Sequence, residues 1–439
     1  MNRLRTQETH TDHKGQQSRR LDRALLVLSL LLGLNAHTAI VPEPVTLSLA
    51  PSGGVLQLAW STQSVITNAG RTPIYPTYVV QASTDLAYWW DTTVVVPQRV
   101  GGPSLTVQTN FATVDLMPVV FLRVRSELNL AGADFSNADF RGVDFSGENL
   151  SGAVFDRALL GDANFSGADL RGARLTNAQA AGANFDAVQA ASLIATAADL
   201  SDTTWQGVVL DSVDLSEARL FGVDLRGQSL VRAKLNGAEV SGVVFDGADL
   251  SYARMDGALA ADASFRNVQA SNLQGLGGDF RRTDWTHAVL TEARLDESDL
   301  EQADMNGANL TRISLHRVRF ASGRFNDTQM KNAVCTEADF SDTDFDDADV
   351  SYADFRGSNL HSVDFEGVYG EYANFYGATV TDAVIRESDF SVADFRLANL
   401  SDSEFSASDF RFCDFRGANL SGVEAWFCDF TGAQFWGMP

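Results

Sequence analysis

The chain has 439 residues, 33 Lys and Arg against 57 Asp and Glu, a net charge of −24, three Cys and nine Pro. That acidity argues against a nucleic-acid phosphate partner and favours cationic ones, and three cysteines are no disulfide framework. Residues 1–39 read as a secretory signal: Arg3, Arg5, Lys14, Arg19, Arg20 and Arg23, then the short apolar run Leu25 to Leu34, then Ala36-His37-Thr38-Ala39 for cleavage. A run of about ten residues is half of what a membrane span needs. The expectation is an exported chain that does not span a membrane after cleavage, with an uncleaved anchor as the other reading.

From residue 40 to 126 the composition turns to Val, Thr, Pro and aromatics in short alternating runs: Val45 to Leu49, Val55 to Trp60, Tyr78 to Ala82, Leu105 to Gln108 and Val119 to Arg125. Pro51-Ser52-Gly53-Gly54 and Gly101-Gly102-Pro103 separate them. This spacing predicts five or more strands in a small antiparallel β-sandwich. The stretch Tyr78 to Trp89 and the closing Phe121-Leu122-Arg123-Val124-Arg125 resemble small fibronectin-like modules of bacterial secreted proteins. The module's expected role is to cover the N-terminal edge of the region that begins at residue 127. Trp89 and Trp90 are an adhesive pair or, more simply, core and rim.

From 127 to 439 one rule governs the chain. Every position divisible by five between Leu130 and Phe435 is a repeat centre, and of these 62 centres Phe fills 23 and Leu 21. Two residues before a centre there is usually a small residue, most often Ala, and one before it often Asp or Asn, as in Ala133-Asp134-Phe135, Ala168-Asp169-Leu170 and Ala418-Asn419-Leu420. No helix or plain strand has a period of five. A chain that points i−2 and i inward and turns a corner at every repeat does, giving four sides and about 20 residues per coil, a solenoid period. Centres one coil apart should then stack. The series 145, 165 and onward to 425 is aromatic at 11 of 15 positions, including Phe145, Phe165, Phe185, Trp205, Phe245, Phe265, Trp285, Phe325, Phe345 and Phe365. The series from 130 to 430 is mainly Leu.

These residues resemble the pentapeptide-repeat proteins, with consensus A-(D/N)-(L/F)-x-x. The resemblance implies an all-β protein, a right-handed quadrilateral β-helix solenoid of about 15 coils at ~4.8 Å per coil, behind the small N-terminal sandwich. Ala180, Ala190, Ala195, Ala260, Ala270, Gly275 and Gly370 leave small centres, and Leu193 and Leu273 fill two normally small i−2 positions. Val188-Gln189-Ala190 and Trp205 recur four coils on as Val268-Gln269-Ala270 and Trp285, which suggests that a block of four coils was duplicated. No proline interrupts the repeats, because proline cannot donate to a ladder.

Chemistry is sparse. The charge becomes −27 once the six basic and three acidic residues of 1–39 are set aside, yet 22 aspartates stand at i−1, where the fold itself uses them to bond the corner. Asp342-Thr343-Asp344-Phe345-Asp346-Asp347 mimics the start of a calcium loop but lacks its glycine and its twelfth acid, with Ala353 there instead. Cys335, Cys413 and Cys428 fall at inward positions, a bridge between the last two being the less simple reading. His10, His13, His37, His287, His316 and His361 are scattered. Neither catalytic, cofactor nor metal residues are expected, and the chain does not read as an enzyme. The reading is an exported structural or interaction scaffold that binds a protein or cell-surface component through its flat faces. The family resemblance adds a second reading, a mimic of DNA that binds a type II topoisomerase. At the carboxyl end Trp426, Phe427 and Trp436 are the candidate contact of an end-to-end homodimer; alternatively Trp436 and Met438 lie over the last coil as a lid.

Overall fold

The computed structural model describes six N-terminal strands and residues 130–437. The proposed signal, Trp89 and Met438 lie outside the described residues. The chain divides into two compact units, 1–130 and 131–439.

In the first unit the strands are β1 (Ser48–Ser52), β2 (Val55–Gln63), β3 (Thr77–Ser83), β4 (Trp90–Val95), β5 (Ser104–Ala112) and β6 (Phe121–Glu127). They form two antiparallel three-stranded sheets, in the orders β1-β2-β5 and β4-β3-β6. β1 starts three residues later than the expected run and takes in Pro51. Proline is tolerated there because β1 is an edge strand. β4 is not among the expected runs: Trp-Asp-Thr-Thr-Val-Val does not alternate, and its pairing with β3 slips between Val80 and Gln81.

The second unit is a four-sided parallel β-helix in which four repeats make one coil. Its bridges all join a residue to the one directly above it in the next coil, from Asp134 with Val154 to Asp414 with Gln434. One repeat accounts for its backbone. The N–H of Asn164 donates to the carbonyl of Val143 (2.9 Å), that of Phe165 to Asn184 (2.7 Å), that of Gly167 to Asp186 (2.8 Å), and that of Ala168 back across the corner to Phe165 (2.9 Å). The remaining corner N–H, that of Ser166, donates to the Asn164 side chain (3.1 Å). The Asp or Asn at i−1 thus satisfies a donor that no ladder reaches. The residue two past each centre takes a left-handed φ of about +51° to +78°, whether or not it is glycine.

Every centre from Leu130 to Phe415 is buried. Phe145, Phe165 and Phe185 are buried and stack ring on ring, at 5.1 Å for each pair, and Trp205 continues the column at 4.4 Å. Phe245, Phe265 and Trp285 repeat the arrangement at 4.9 and 4.0 Å. Phe325, Phe345 and Phe365 form a third run. Each buried indole needs a partner for its N–H. Trp205 donates to Thr203 Oγ1 and Trp285 to Thr283 Oγ1, both at 2.8 Å, and each threonine in turn donates to the carbonyl of the preceding centre, Leu200 or Phe280. The same relay thus recurs four coils apart. Small centres are filled by neighbouring rings: a Cβ on Gly370 would stand 2.3 Å from the Phe390 ring.

Toward the carboxyl end one ladder lengthens. Bridges become three-residue strands at β7 (Asp364–Glu366), β8 (Val384–Arg386), β9 (Glu404–Ser406) and β10 (Glu424–Trp426), paired in parallel. At these corners the N–H of Val368 donates to Ser388 Oγ (3.0 Å) instead of turning back, and that of Ser388 to Ser408 Oγ (3.1 Å). The buried Ser388 hydroxyl donates to the Phe365 carbonyl (2.8 Å) that the turn would have used.

Candidate functional site

With i−2 and i inside, function falls to the outward rows, in which residues of successive coils stand one above another. Aspartates at i−1 fill many of these places, and arginines two residues on reach back to them: Arg171 to Asp169, Arg281 to Asp279, Arg356 to Asp354 and Arg416 to Asp414, at 2.5 to 2.7 Å. Others pair between coils, such as Arg266 with Asp246 (2.7 Å) and Arg319 with Asp299 (2.5 Å). The guanidinium of Arg141 holds the Asp139 carboxyl down at about 2. Much of the acidity is therefore compensated on the surface itself.

The opposite holds around Asp346. Burial, then the neighbouring Asp344 and Asp364, push its carboxyl up to about 6. Burial also raises Asp364, although Arg386 opposes it. Asp346 Oδ1, Asp364 Oδ1 and Asn326 Oδ1 are buried with no hydrogen-bond partner. Phe345 between these acids points inward and is buried. Among the described residues no group of three or more His, Cys, Asp or Glu is placed to hold a metal ion.

The thiols are unpaired. Burial pushes Cys335 far above the usual range and Cys413 up to about 12, and Cys413 Sγ contacts the Phe390 carbonyl at 3.0 Å. Cys428 is only half-buried. His316 and His361 bond threonines one coil on, Thr336 at 2.7 Å and Thr381 at 2.9 Å.

At the carboxyl end Trp426 and Phe427 share an outward corner, and Phe427 is 95% exposed. Trp436 is 66% exposed and lies under the Arg416 guanidinium at 5.0 Å. The indole does not lie over the last described coil, where Phe430 and Phe435 are half-buried and Ala425 is exposed; the Met438 part of the lid reading falls outside the described residues. Stacking on a cation of the preceding coil holds the indole on a side face.

A second aromatic surface escapes the sequence reading. Tyr352, Tyr372, Val392 and Phe412 follow one another coil by coil on one corner, all exposed and all at left-handed φ. Sorting the second residue after each centre by coil is the signal that finds them. Across the adjacent face runs a row with Arg356, Tyr376, Arg396, Arg416 and Trp436, in which Arg396 covers Tyr376 at 5.4 Å.

Comparison with known proteins matches this unit to the family described as pentapeptide repeats, in eight copies over residues 126–147, 149–186, 195–227, 229–273, 279–312, 323–361, 373–411 and 398–437. Among solved structures the chain is similar to HetL, a pentapeptide repeat protein involved in heterocyst differentiation regulation from the cyanobacterium Nostoc sp. strain PCC 7120. The identity is 24%, over 46% of this chain and 89% of that one, with a TM-score of 0.29. It is also similar to QnrB1, a plasmid-mediated fluoroquinolone resistance protein: 22% identity, 46% of this chain and 90% of that one, TM-score 0.21. A pentapeptide repeat protein of the Arabidopsis thaliana thylakoid lumen is 25% identical over 31% of this chain and 72% of that one, TM-score 0.10. No curated protein matches the chain.

Proposed function

The chain belongs to the pentapeptide-repeat family, and from that premise we propose that it is an exported, non-enzymatic scaffold whose β-helix binds protein or cell-surface components through its flat faces. The fold is the family's right-handed quadrilateral β-helix. One observation carries the reading: outward side chains stand in coil-to-coil register, and pairs such as Arg219 with Glu239, Arg312 with Glu292 and Arg317 with Glu337 are bonded from one coil to the next, which lowers the ordering left to lose on binding there. No helix among the described residues is long and apolar enough to cross a membrane.

Ion pairing supports this reading over a mimic of DNA. A mimic needs rows of uncompensated negative charge. Here Asp169, Asp279, Asp354, Asp394 and Asp414 each hold an arginine, which favours a protein-binding surface. The N-terminal sequence of the mature protein tests export: a start near Ile40 in an exported fraction supports it, and an intact cytosolic chain that inhibits supercoiling by a type II topoisomerase would replace it with the mimic. The end-to-end homodimer through Trp426, Phe427 and Trp436 belongs to the same proposal. Light scattering of the mature protein tests it, and a monomer mass unchanged by Trp426→Glu would remove it.

A further inference from the structure

The corner that carries Tyr352, Tyr372, Val392 and Phe412 is unlike the same corner at the start of the β-helix, where Gly132, Gly152 and Gly172 stand. All these residues take φ between +60° and +67°. Glycine adopts that conformation freely, whereas a bulky or β-branched side chain is strained there. Val392, at φ +65°, is the strongest case. The four side chains are 39% to 60% exposed, so the strain gains nothing in the core. Four successive coils present apolar groups at a corner position that elsewhere in the β-helix is mostly glycine or polar.

The rings' geometry limits what they recognise. Tyr352 and Tyr372 stack on each other at 4.9 Å and 12°, and Lys331 lies 5.5 Å over Tyr352. That stack engages one face of each ring and the cation the second face of Tyr352, so no more than one open face, on Tyr372, is left for a sugar ring or a base. Charge is asymmetric about the stripe. On one side Asp349, Glu371 and Asp389 have no ion pair within 4 Å among the described residues, and the cations of that side are Lys331, over Tyr352, and Arg411, paired with Asp409 at 2.5 Å. On the other side Asp354, Asp394 and Asp414 are neutralised one for one by Arg356, Arg396 and Arg416 at 2.5 to 2.6 Å. The stripe is thus apolar with one acidic flank. Four coils at ~4.8 Å place its rungs over about 15 Å, and positions i, i+4, i+7 and i+11 of an α-helix cover about 16 Å.

We propose that this corner docks a cationic amphipathic α-helix of another protein, laid along the β-helix axis with its apolar stripe on Tyr352, Tyr372, Val392 and Phe412 and its Lys or Arg flank over Asp349, Glu371 and Asp389. The inference deepens the scaffold reading and rests on it. No helix occurs among the described residues, so a second copy does not supply the occupant from them. Aromatic anchors surrounded by polar groups are the composition of binding hot spots.

The test uses the full mature chain and a synthetic helix of about 18 residues, long enough to be helical alone, with Leu on one stripe and Lys on one flank. Calorimetry should show saturable binding that weakens with salt, and no binding of the same peptide with Glu in place of Lys. The double variant Tyr372→Gly/Phe412→Gly should lose about tenfold or more in affinity. Because glycine suits this corner, that variant should unfold at the same or a higher temperature, which separates lost docking from lost folding. The remote exposed substitution Phe221→Ser should leave binding unchanged. Equal binding of a scrambled Leu/Lys peptide, unchanged affinity of the double glycine variant, or no saturation up to about 1 mM would each overturn the stripe while leaving export and the other faces untouched. A concentration-dependent mass in light scattering that the double variant abolishes would assign the corner to self-association and overturn the helix.

Discussion

The first coils of the β-helix and the coils after residue 350 obey one inward rule and present two outward surfaces. In the first coils glycine takes the corner at 132, 152 and 172, and the aromatic column runs through Phe145, Phe165 and Phe185. After 350 the same corner carries Tyr, Tyr, Val and Phe, and a second column stacks through Phe355, Phe375, Phe395, Phe415 and Phe435 at 4.8 to 5.1 Å. One ladder there also lengthens into β7–β10 with serine hydroxyls standing in for turn bonds. The difference teaches that the inward residues are constrained by neighbours above and below, whereas the outward ones are free to vary coil by coil. Repeat regularity therefore marks the core.

The sharpest test of the shared rule is a charge in each column. Phe165→Asp and Phe375→Asp should each lower stability by about 4 kcal/mol, since a buried carboxylate has no partner in either place. Ser166→Asp at a corner should stay within about 0.5 kcal/mol. Thermal unfolding followed by circular dichroism reads all three, and equal losses for Phe165→Asp and Ser166→Asp would break the register. Next in size, Gly370→Ala drives a Cβ to 2.3 Å from the Phe390 ring and should cost about 2 kcal/mol by overpacking. If denaturant unfolding shows no loss, the later core is looser than the first. Smaller again, Thr203→Val and Thr283→Val each strand a buried indole N–H and should cost about 1.5 kcal/mol apiece. Matching losses would support the duplication of four coils, and a twofold disparity would count against equivalence of the two sites.

The smallest effect separates the regions by pH. The Asp346 carboxyl, raised to about 6 by burial and by Asp344 and Asp364, stabilises when protonated. Its contribution is full below the unfolded value near 3.8 and disappears as pH rises through 6. Asp139 acts in the opposite sense: its contribution is full above 3.8 and is lost as pH falls toward 2. Between about pH 4 and 6.5 the later coils should therefore weaken by about 1 kcal/mol, reduced from the full shift by solvent screening. Asp346→Asn should flatten that slope in pH-dependent unfolding, and a slope that persists in the variant would place its origin elsewhere.

The repeat period, the inward pair and the four sides were legible from Leu130 to Phe435 because a five-residue rule leaves one geometric solution, which each stacked coil repeats. Phe and Leu separated into different columns for the same reason. In the first unit short alternating runs located most strands, but β4 escaped because Trp90-Asp91-Thr92-Thr93 lacks alternation and pairs across a bulge. The thiols' inward places were legible too, although Cys428 is less covered than its register implies, since it lies in the last described coil. What only the tertiary structure decided concerns neighbours in adjacent coils that the repeat rule does not pair. Those neighbours include the arginine over Trp436, the serine that accepts from Val368, the raised carboxyl of Asp346 and the stacked tyrosines of one corner. Period alone assigns a side chain to inside or outside. Which outward group meets which depends on the axial stacking of coils, and there a residue's chemistry is set by the one above it.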